Sequence, residues 1–308
     1  MDNLTEFPGN ATSNKRLSVI IKICVVIPLS CVFLCCVVVM LHIFACHRQF
    51  LDSPRYILFA YMLINDTLHL LYSVLLFLFA MGQVKFALVF CIPLLFFSTA
   101  AFRNTPLILA AMSLERYISI FYPLQRPAAW RSDRIWIIAL SVWLVSAVFP
   151  LIDHSMMKHD PAVDFLSTPV ICDPSVFNSS PVQTLFGAAV SFLFFAVVAV
   201  IIFFTYVRIL LETRKMRQDR ESLSKALHTV LLHGVQLLLC IMAFTSPVTE
   251  TLAVLHANWL PEDIAFFYYF CFILFPRFLS PLIYGFRDQS LRSYIGKSFF
   301  CCSNRIKP

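Results

Sequence analysis

Four places in the sequence set ionisable side chains among almost wholly apolar neighbours: Asp66, Arg103, the pair Glu115–Arg116, and Arg277. An ionised group in such surroundings is costly to hold and points to a partner or a task. A carboxylate beside a guanidinium at Glu115 and Arg116, followed by Tyr117, can hold a helix end in a closed arrangement. Its release frees Arg116 to meet something arriving from outside the helix; the same pair read plainly is a boundary ion pair. Arg277 lies seven residues before Tyr284, on nearly the same helical face. That face either turns the guanidinium toward Asp66 or carries it elsewhere. Arg103 offers a planar fork of donors suited to a carboxylate or phosphate, or else serves as a structural Arg bonded to helix carbonyls or reaching away.

Other reactive side chains do not form a site. His42, His69, His228 and His233 fall at different depths and set up no metal centre. No CxxC pair or His/Cys cluster has metal-ligand spacing, and most of the eleven cysteines sit in or beside apolar runs as small hydrophobes. No Ser/His/Asp set, catalytic carboxylate pair or phosphate-cradling glycine loop is evident, so neither an enzyme nor a cofactor is expected. Glu250 and His256 stand near one mouth of the bundle and read as water-facing.

The elements that must hold these charges are apolar and long. The chain has 308 residues, 59% hydrophobic and 13% charged, against about 25% charged in soluble domains. So few charges cannot cover a globular core, and lipid is the natural solvent. Seven stretches, 18–45, 55–82, 87–120, 131–152, 182–212, 223–256 and 262–286, reach the roughly 20 apolar residues a membrane-spanning helix needs. Each must be helical, because hydrocarbon offers open backbone groups no partner. Pro106, Pro150, Pro247, Pro276 and Pro281 fall inside runs as tolerated kinks. The fold class is therefore an all-α seven-helix membrane bundle, with 1–17 as a first tail, 18–286 as the bundle and 287–308 as a last tail.

Alternate loops carry the cations. Arg48 and Arg55, then Arg126, Arg131 and Arg134, then the group from Arg214 to Lys225, then Arg287 to Lys307, share one side. The positive-inside rule puts that side, with the C-terminus, in the cytoplasm and the N-terminus outside; Lys15, Arg16 and Lys22 weigh the other way. The net charge of +7 reflects this topology and not nucleic-acid binding. Sequons at Asn3, Asn10 and Asn178 then face outside and read as glycosylation sites, whereas Asn65 matches the same pattern in mid-helix. Cys91 and Cys172 share that oxidising side, so a disulfide tying the second outer loop over the bundle is allowed. Gln289–Phe300 reads as a short amphipathic helix with Tyr294, Ile295, Phe299 and Phe300 on lipid. Cys301 and Cys302 follow it, either as palmitoylation sites or as free thiols.

Several segments together resemble the vertebrate odorant receptors of the rhodopsin-like, class A G-protein-coupled family, in a divergent, fish-like form. Met112-Ser-Leu-Glu-Arg-Tyr-Ile-Ser-Ile-Phe-Tyr-Pro-Leu124 resembles the signature at the end of their third helix. Cys91 lies twenty-five residues before Arg116, Trp143 falls at their fourth-helix Trp, and Ser53-Pro-Arg-Tyr-Ile-Leu-Phe resembles the opening of their second helix, with matching spacing to Asp66. Thr205-Tyr-Val-Arg-Ile-Leu, Lys225-Ala-Leu-His-Thr229 with His233, and Ser280-Pro-Leu-Ile-Tyr284 resemble their fifth-, sixth- and seventh-helix motifs. The chain departs at Val38, Glu115 and Ser280, where the family has Asn, Asp and Asn, and at Cys240-Ile-Met-Ala, which replaces an aromatic motif.

The resemblance implies a receptor for a small-molecule odorant. Its pocket would be lined or bordered by Ser98, Thr99, Phe102, Arg103, Phe244, Thr245, Val248, Phe270 and Ile273. It implies a heterotrimeric G protein of the stimulatory type, and a switch in which Arg116 exchanges Glu115 for Tyr206, Tyr284 and that partner. Asp66, Arg277 and Ser280 would form a polar core, with Arg277 taking the place of the sodium ion that related receptors hold near such an Asp. An anionic, water-soluble ligand on Arg103 is the corresponding expectation for the pocket. A peptide or lipid receptor and, further off, a transporter are the competing readings.

Overall fold

The computed structural model describes residues 8–155 apart from 124 and 126, then 169–172, 181–215, 220–245, 261–279, 281, 291, 293 and 294. Helix α1 (Pro8–Cys46) is followed by the single turn α2 (Arg48–Leu51), α3 (Pro54–Met81), strand β1 (Lys85–Ala87) and α4 (Leu88–Phe121). Then come α5 (Ile135–Ser155), strand β2 (Pro169–Ile171), α6 (Pro181–Lys215), α7 (Arg220–Phe244) and α8 (Pro261–Tyr268). A π-helical turn (Tyr269–Leu274) continues α8, and helix resumes to residue 279, so 261–279 forms a seventh span.

Six of these helices are long and apolar enough to cross a membrane among the described residues: α1, α3, α4, α5, α6 and α7. Their outward faces keep large apolar side chains exposed, Phe192, Phe203 and Val200 on α6 and Leu238 on α7 among them. Water would penalise such a belt at roughly 25 cal/mol per Å²; acyl chains do not. Inward, one core cluster joins Phe33 of α1, Leu63 of α3, Leu109 of α4, Val198 of α6, Leu237 of α7 and Leu274 of the seventh span.

The central element is α4, which touches α3, α5, α6 and α7. Its residues 100–115 bury five polar side chains among apolar ones, Arg103, Asn104, Thr105, Ser113 and Glu115, with Asn104, Thr105 and Ser113 fully enclosed. Pro93 and Pro106 lie within it and Pro150 within α5, as bundled helices permit. At the end where α4 begins, β1 and β2 pair antiparallel, Lys85 opposite Ile171 and Ala87 opposite Pro169. The Cys91–Cys172 disulfide sits beside this ribbon with Leu95, tying the segment after α5 to the first turn of α4.

The described structure differs from the sequence expectation in two places. Helix α1 begins at Pro8 and not at residue 18: Pro suits a first helical turn, where its missing N–H has no partner to lose. Of the sixth run, helix is described as far as Phe244 with Thr245 in a turn, and residues 246–256 lie outside the described residues. Tyr294 does not lie on lipid. It packs its ring 4.3 Å from His47 and 5.7 Å from Phe50, and accepts a hydrogen bond from Gln49 at 3.1 Å. Leu291 beside it is buried, so this turn is drawn onto the bundle by an aromatic cluster.

Candidate functional site

Three polar centres follow α4 from the disulfide end to the opposite end. The first is built on Arg103. Its guanidinium donates from Nη1 to Ser191 Oγ of α6 at 3.0 Å and lies 4.6 Å from the ring of Phe149 on α5 and 5.8 Å from Phe244 on α7. Aromatic faces attract a desolvated cation while leaving its in-plane donors for other partners. Asp153, one turn beyond Phe149 on the same face of α5, interacts electrostatically with Arg103. Nearby, Gln183 of α6 donates to the Asp153 backbone carbonyl at 3.3 Å.

The residues expected to share a pocket with Arg103 are divided among faces. Phe102 turns toward α3, 5.7 Å from the His69 ring. Ser98 and Thr99 are half-buried one turn nearer the disulfide. Phe244 joins Arg103 directly, and Thr245 follows it with its hydroxyl on Met242 O. Phe270 lies on the π turn, its ring 6.2 Å from Phe266, with Ile273 half-buried beyond it. Val248 lies outside the described residues, as do Ser280, Tyr284, Asn3, Asn178, Cys301 and Cys302; of Asn10 only the backbone, in the first turn of α1, is described.

The second centre joins α3, α4 and the seventh span. Arg277 Nη1 is 2.6 Å from Asp66 Oδ1 and donates also to Thr105 Oγ1 at 2.6 Å. Thr105 in turn donates to Asp66 Oδ1 at 3.2 Å. Both charged side chains are buried, Arg277 at 2% and Asp66 at 0% exposure, so this is a closed ion pair with no water-facing edge. Around it Asn65 donates to Ala101 O and Thr105 Oγ1, and Asn104 to Asn65 Oδ1 and Tyr61 OH. Asn65 is thereby a core residue, and its sequon is fortuitous. One turn further along α3, His69 is buried with Nδ1 lacking a hydrogen-bond partner among the described residues.

Sequence reasoning named Asp66 and Arg277 but not Tyr61, Asn65, Asn104 or Thr105 as their surroundings. The signal was present: Tyr61, Asn65 and His69 recur at i, i+4, i+8 within an apolar run, which aligns them on one face.

The third centre lies at the far end of α4. Glu115 and Arg116 approach to 3.8 Å, with Glu115 buried. Ser113 Oγ and His233 Nδ1, 3.0 Å apart and both buried, link α4 to α7 one turn inward. Tyr117 packs against Phe204 of α6 and Phe121, and Arg208 of α6 lies over the Phe121 ring. Tyr206 is half-buried and borders a groove of about 500 Å³ between α6 and α7, whose other walls include Val230, Gly234 and Ile241.

A helical bundle with apolar outer faces, a disulfide-tied roof at one end and a Glu–Arg pair at the other is the architecture of a multi-pass membrane protein. The chain belongs to the 7 transmembrane receptor (rhodopsin family), which matches residues 35–284. It is similar to Odorant receptor 131-2 of Danio rerio, 29% identical over 198 residues, covering 64% of this chain and 61% of that protein. It is also similar to Olfactory receptor 52A5 of Homo sapiens, 26% identical over 211 residues, covering 63% and 62%, and to Olfactory receptor 52A1 of Homo sapiens, 25% identical over 210 residues, covering 62% of each. The chain thus spans about three-fifths of the length of these curated relatives.

Proposed function

We propose that this protein is a chemosensory receptor of the plasma membrane. It binds a small odorant between α4, α5, α6, α7 and the seventh span and activates a heterotrimeric G protein of the stimulatory type. The observation that carries the reading is the buried Arg103 in a bundle whose opposite end bears the Glu115–Arg116 pair. One helix, α4, connects the two, so an occupant at Arg103 and a partner at Arg116 act on the same rigid element. The relatives' names, odorant and olfactory receptors, support the ligand class.

In this reading the disulfide end and the N-terminus are extracellular, with Asn3, Asn10 and Asn178 glycosylated, and the end bearing Arg116 is cytoplasmic. Residues 1–17, 18–286 and 287–308 are the outer tail, the receptor domain and the inner tail, the last palmitoylated at Cys301 and Cys302. Ligand binding shifts the population toward an arrangement in which the inner end of α7 swings outward. The Ser113–His233 contact opens, and Arg116 leaves Glu115 for Tyr206, Tyr284 and the G protein. Asp66, Arg277 and Ser280 form the polar hinge between the two ends, with Arg277 supplying the positive charge there in place of a sodium ion.

The test is cyclic AMP in cells expressing the chain, challenged with neutral, acidic, basic and zwitterionic odorants, beside Arg116→Ala. A ligand-dependent rise that Arg116→Ala abolishes at equal surface expression is the expected result. A rise that survives Arg116→Ala overturns the switch.

A further inference from the structure

Arg103 and Asp153 form an unusual couple. Arg103 is held by Ser191 and the two rings, and Asp153 projects from the same face of α5 as Phe149, about 6 Å further along the helix at 1.5 Å rise per residue. The two charges feel each other, yet they form no direct ion pair in the described structure, unlike Asp66 and Arg277 at 2.6 Å. Where a bundle only needs to neutralise a buried charge, contact is the economical solution, and the second centre shows that this sequence can build it. At the first centre opposite charges stand apart on neighbouring helices. Asp153 is half-buried and stands one turn nearer the disulfide end of α5 than Phe149.

Separated opposite charges in a low-dielectric site select ligands by the sign of each end. A plain anion gains from Arg103 but is opposed by Asp153; a plain cation meets the reverse. A small molecule bearing both charges satisfies both residues and leaves neither half-neutralised. Ser191 fixes one donor of Arg103, and Phe149 and Phe244 orient the guanidinium plane, so the remaining donors offer a preset fork.

We propose that Arg103 and Asp153 form a subsite for a small zwitterion of the α-amino acid type, its carboxylate on Arg103 and its ammonium on Asp153. The assignment rests on the receptor reading above and sharpens the anionic-ligand expectation: the neighbouring carboxylate adds a demand for positive charge at the other end of the ligand.

The experiment uses the purified full chain in detergent micelles, with thermal unfolding as the readout, which requires no G protein. The probes are a mixture of the twenty standard α-amino acids, the same set N-acetylated, and the same set as methyl esters. The free amino acids are expected to raise the unfolding temperature. Either blocked set is expected to need at least about 30-fold higher concentration, the low end for removing one partner of a buried charge pair. Asp153→Asn, at a half-exposed position, is expected to remove the preference for free over acetylated amino acids while keeping the preference over esters. Arg103→Gln is expected to do the reverse, removing the preference over esters while keeping the preference over acetylated amino acids. Equal shifts from free and blocked sets, or no shift from any free amino acid, overturn the proposal. A shift without a cyclic AMP response leaves the zwitterion subsite standing and rejects stimulatory coupling. A cyclic AMP response to neutral odorants with no shift from amino acids keeps the receptor and rejects this subsite.

Discussion

Removing Arg277 takes the buried counter-charge from Asp66, which is fully enclosed. After Arg277→Met the Thr105 hydroxyl at 3.2 Å still donates to it. A buried carboxylate that has lost its counter-charge either stays charged or takes up a proton. At pH 7 the second route costs about 1.36 kcal/mol for each unit between the solution and the ordinary carboxylate value near 3.9, roughly 4 kcal/mol. That agrees with the roughly 3–5 kcal/mol measured when one partner of a buried pair is removed. At roughly 2–4 °C per kcal/mol for a chain of this order of size, the midpoint in micelles falls on the order of 10 °C.

The double variant Asp66→Asn/Arg277→Met has no charge left to compensate and is expected to recover most of the loss. Thermal unfolding of the four proteins measures the cycle. Losses below about 1 kcal/mol in Arg277→Met, or additive losses in the double variant, would refute the closed ion pair as a structural anchor.

Three further outcomes are expected. Ser113→Ala leaves buried His233 Nδ1 without its hydroxyl, costing about 1–3 kcal/mol and raising ligand-independent cyclic AMP, which basal signalling at matched surface density checks. Cys172→Ser opens a closure spanning 81 residues and is expected to cost about 2–4 kcal/mol, read as reduced surface expression and an earlier melting transition. Gly234 meets nothing within 4 Å of an added Cβ, so Gly234→Ala is expected to stabilise α7 by up to about 1 kcal/mol, seen as a higher unfolding midpoint with ligand potency unchanged.

The spans were legible because lipid imposes one rule on every residue: an apolar run long enough must be helical. Their ends were less so. Helix α1 runs ten residues beyond the apolar run that predicts it, to Pro8, because polar residues outside the hydrocarbon can extend a helix without adding to the apolar signal. The β1–β2 ribbon rests on three residues per strand, too short for any alternation to register. In the candidate site, helical phase suggested that Arg277 shares a face with the bundle interior, and the structure places it against Asp66. Phase on one helix does not name the neighbour across the gap. Ser191 and Phe149 reach Arg103 from two other helices at sequence distances of 88 and 46, and no spacing rule joins them. Lys22, which weighs against the assigned orientation in the cation count, pairs with Asp263 of α8 at 2.6 Å.

The π turn in the seventh span works as a vernier. Eight residues separate Tyr269 from Arg277, which in an unbroken α-helix would leave them about 80° apart in azimuth. A π turn absorbs one surplus residue and brings that offset down to about 20°. Tyr269 can therefore stack on Phe77 of α3, centroids 5.0 Å apart, while Arg277 meets Asp66 of the same helix. Phe77 and Asp66 are themselves eleven residues apart, three whole turns of α3 to within about 20°. Two helices of unequal count thus engage at two points, and one residue of slack sets the azimuth of both.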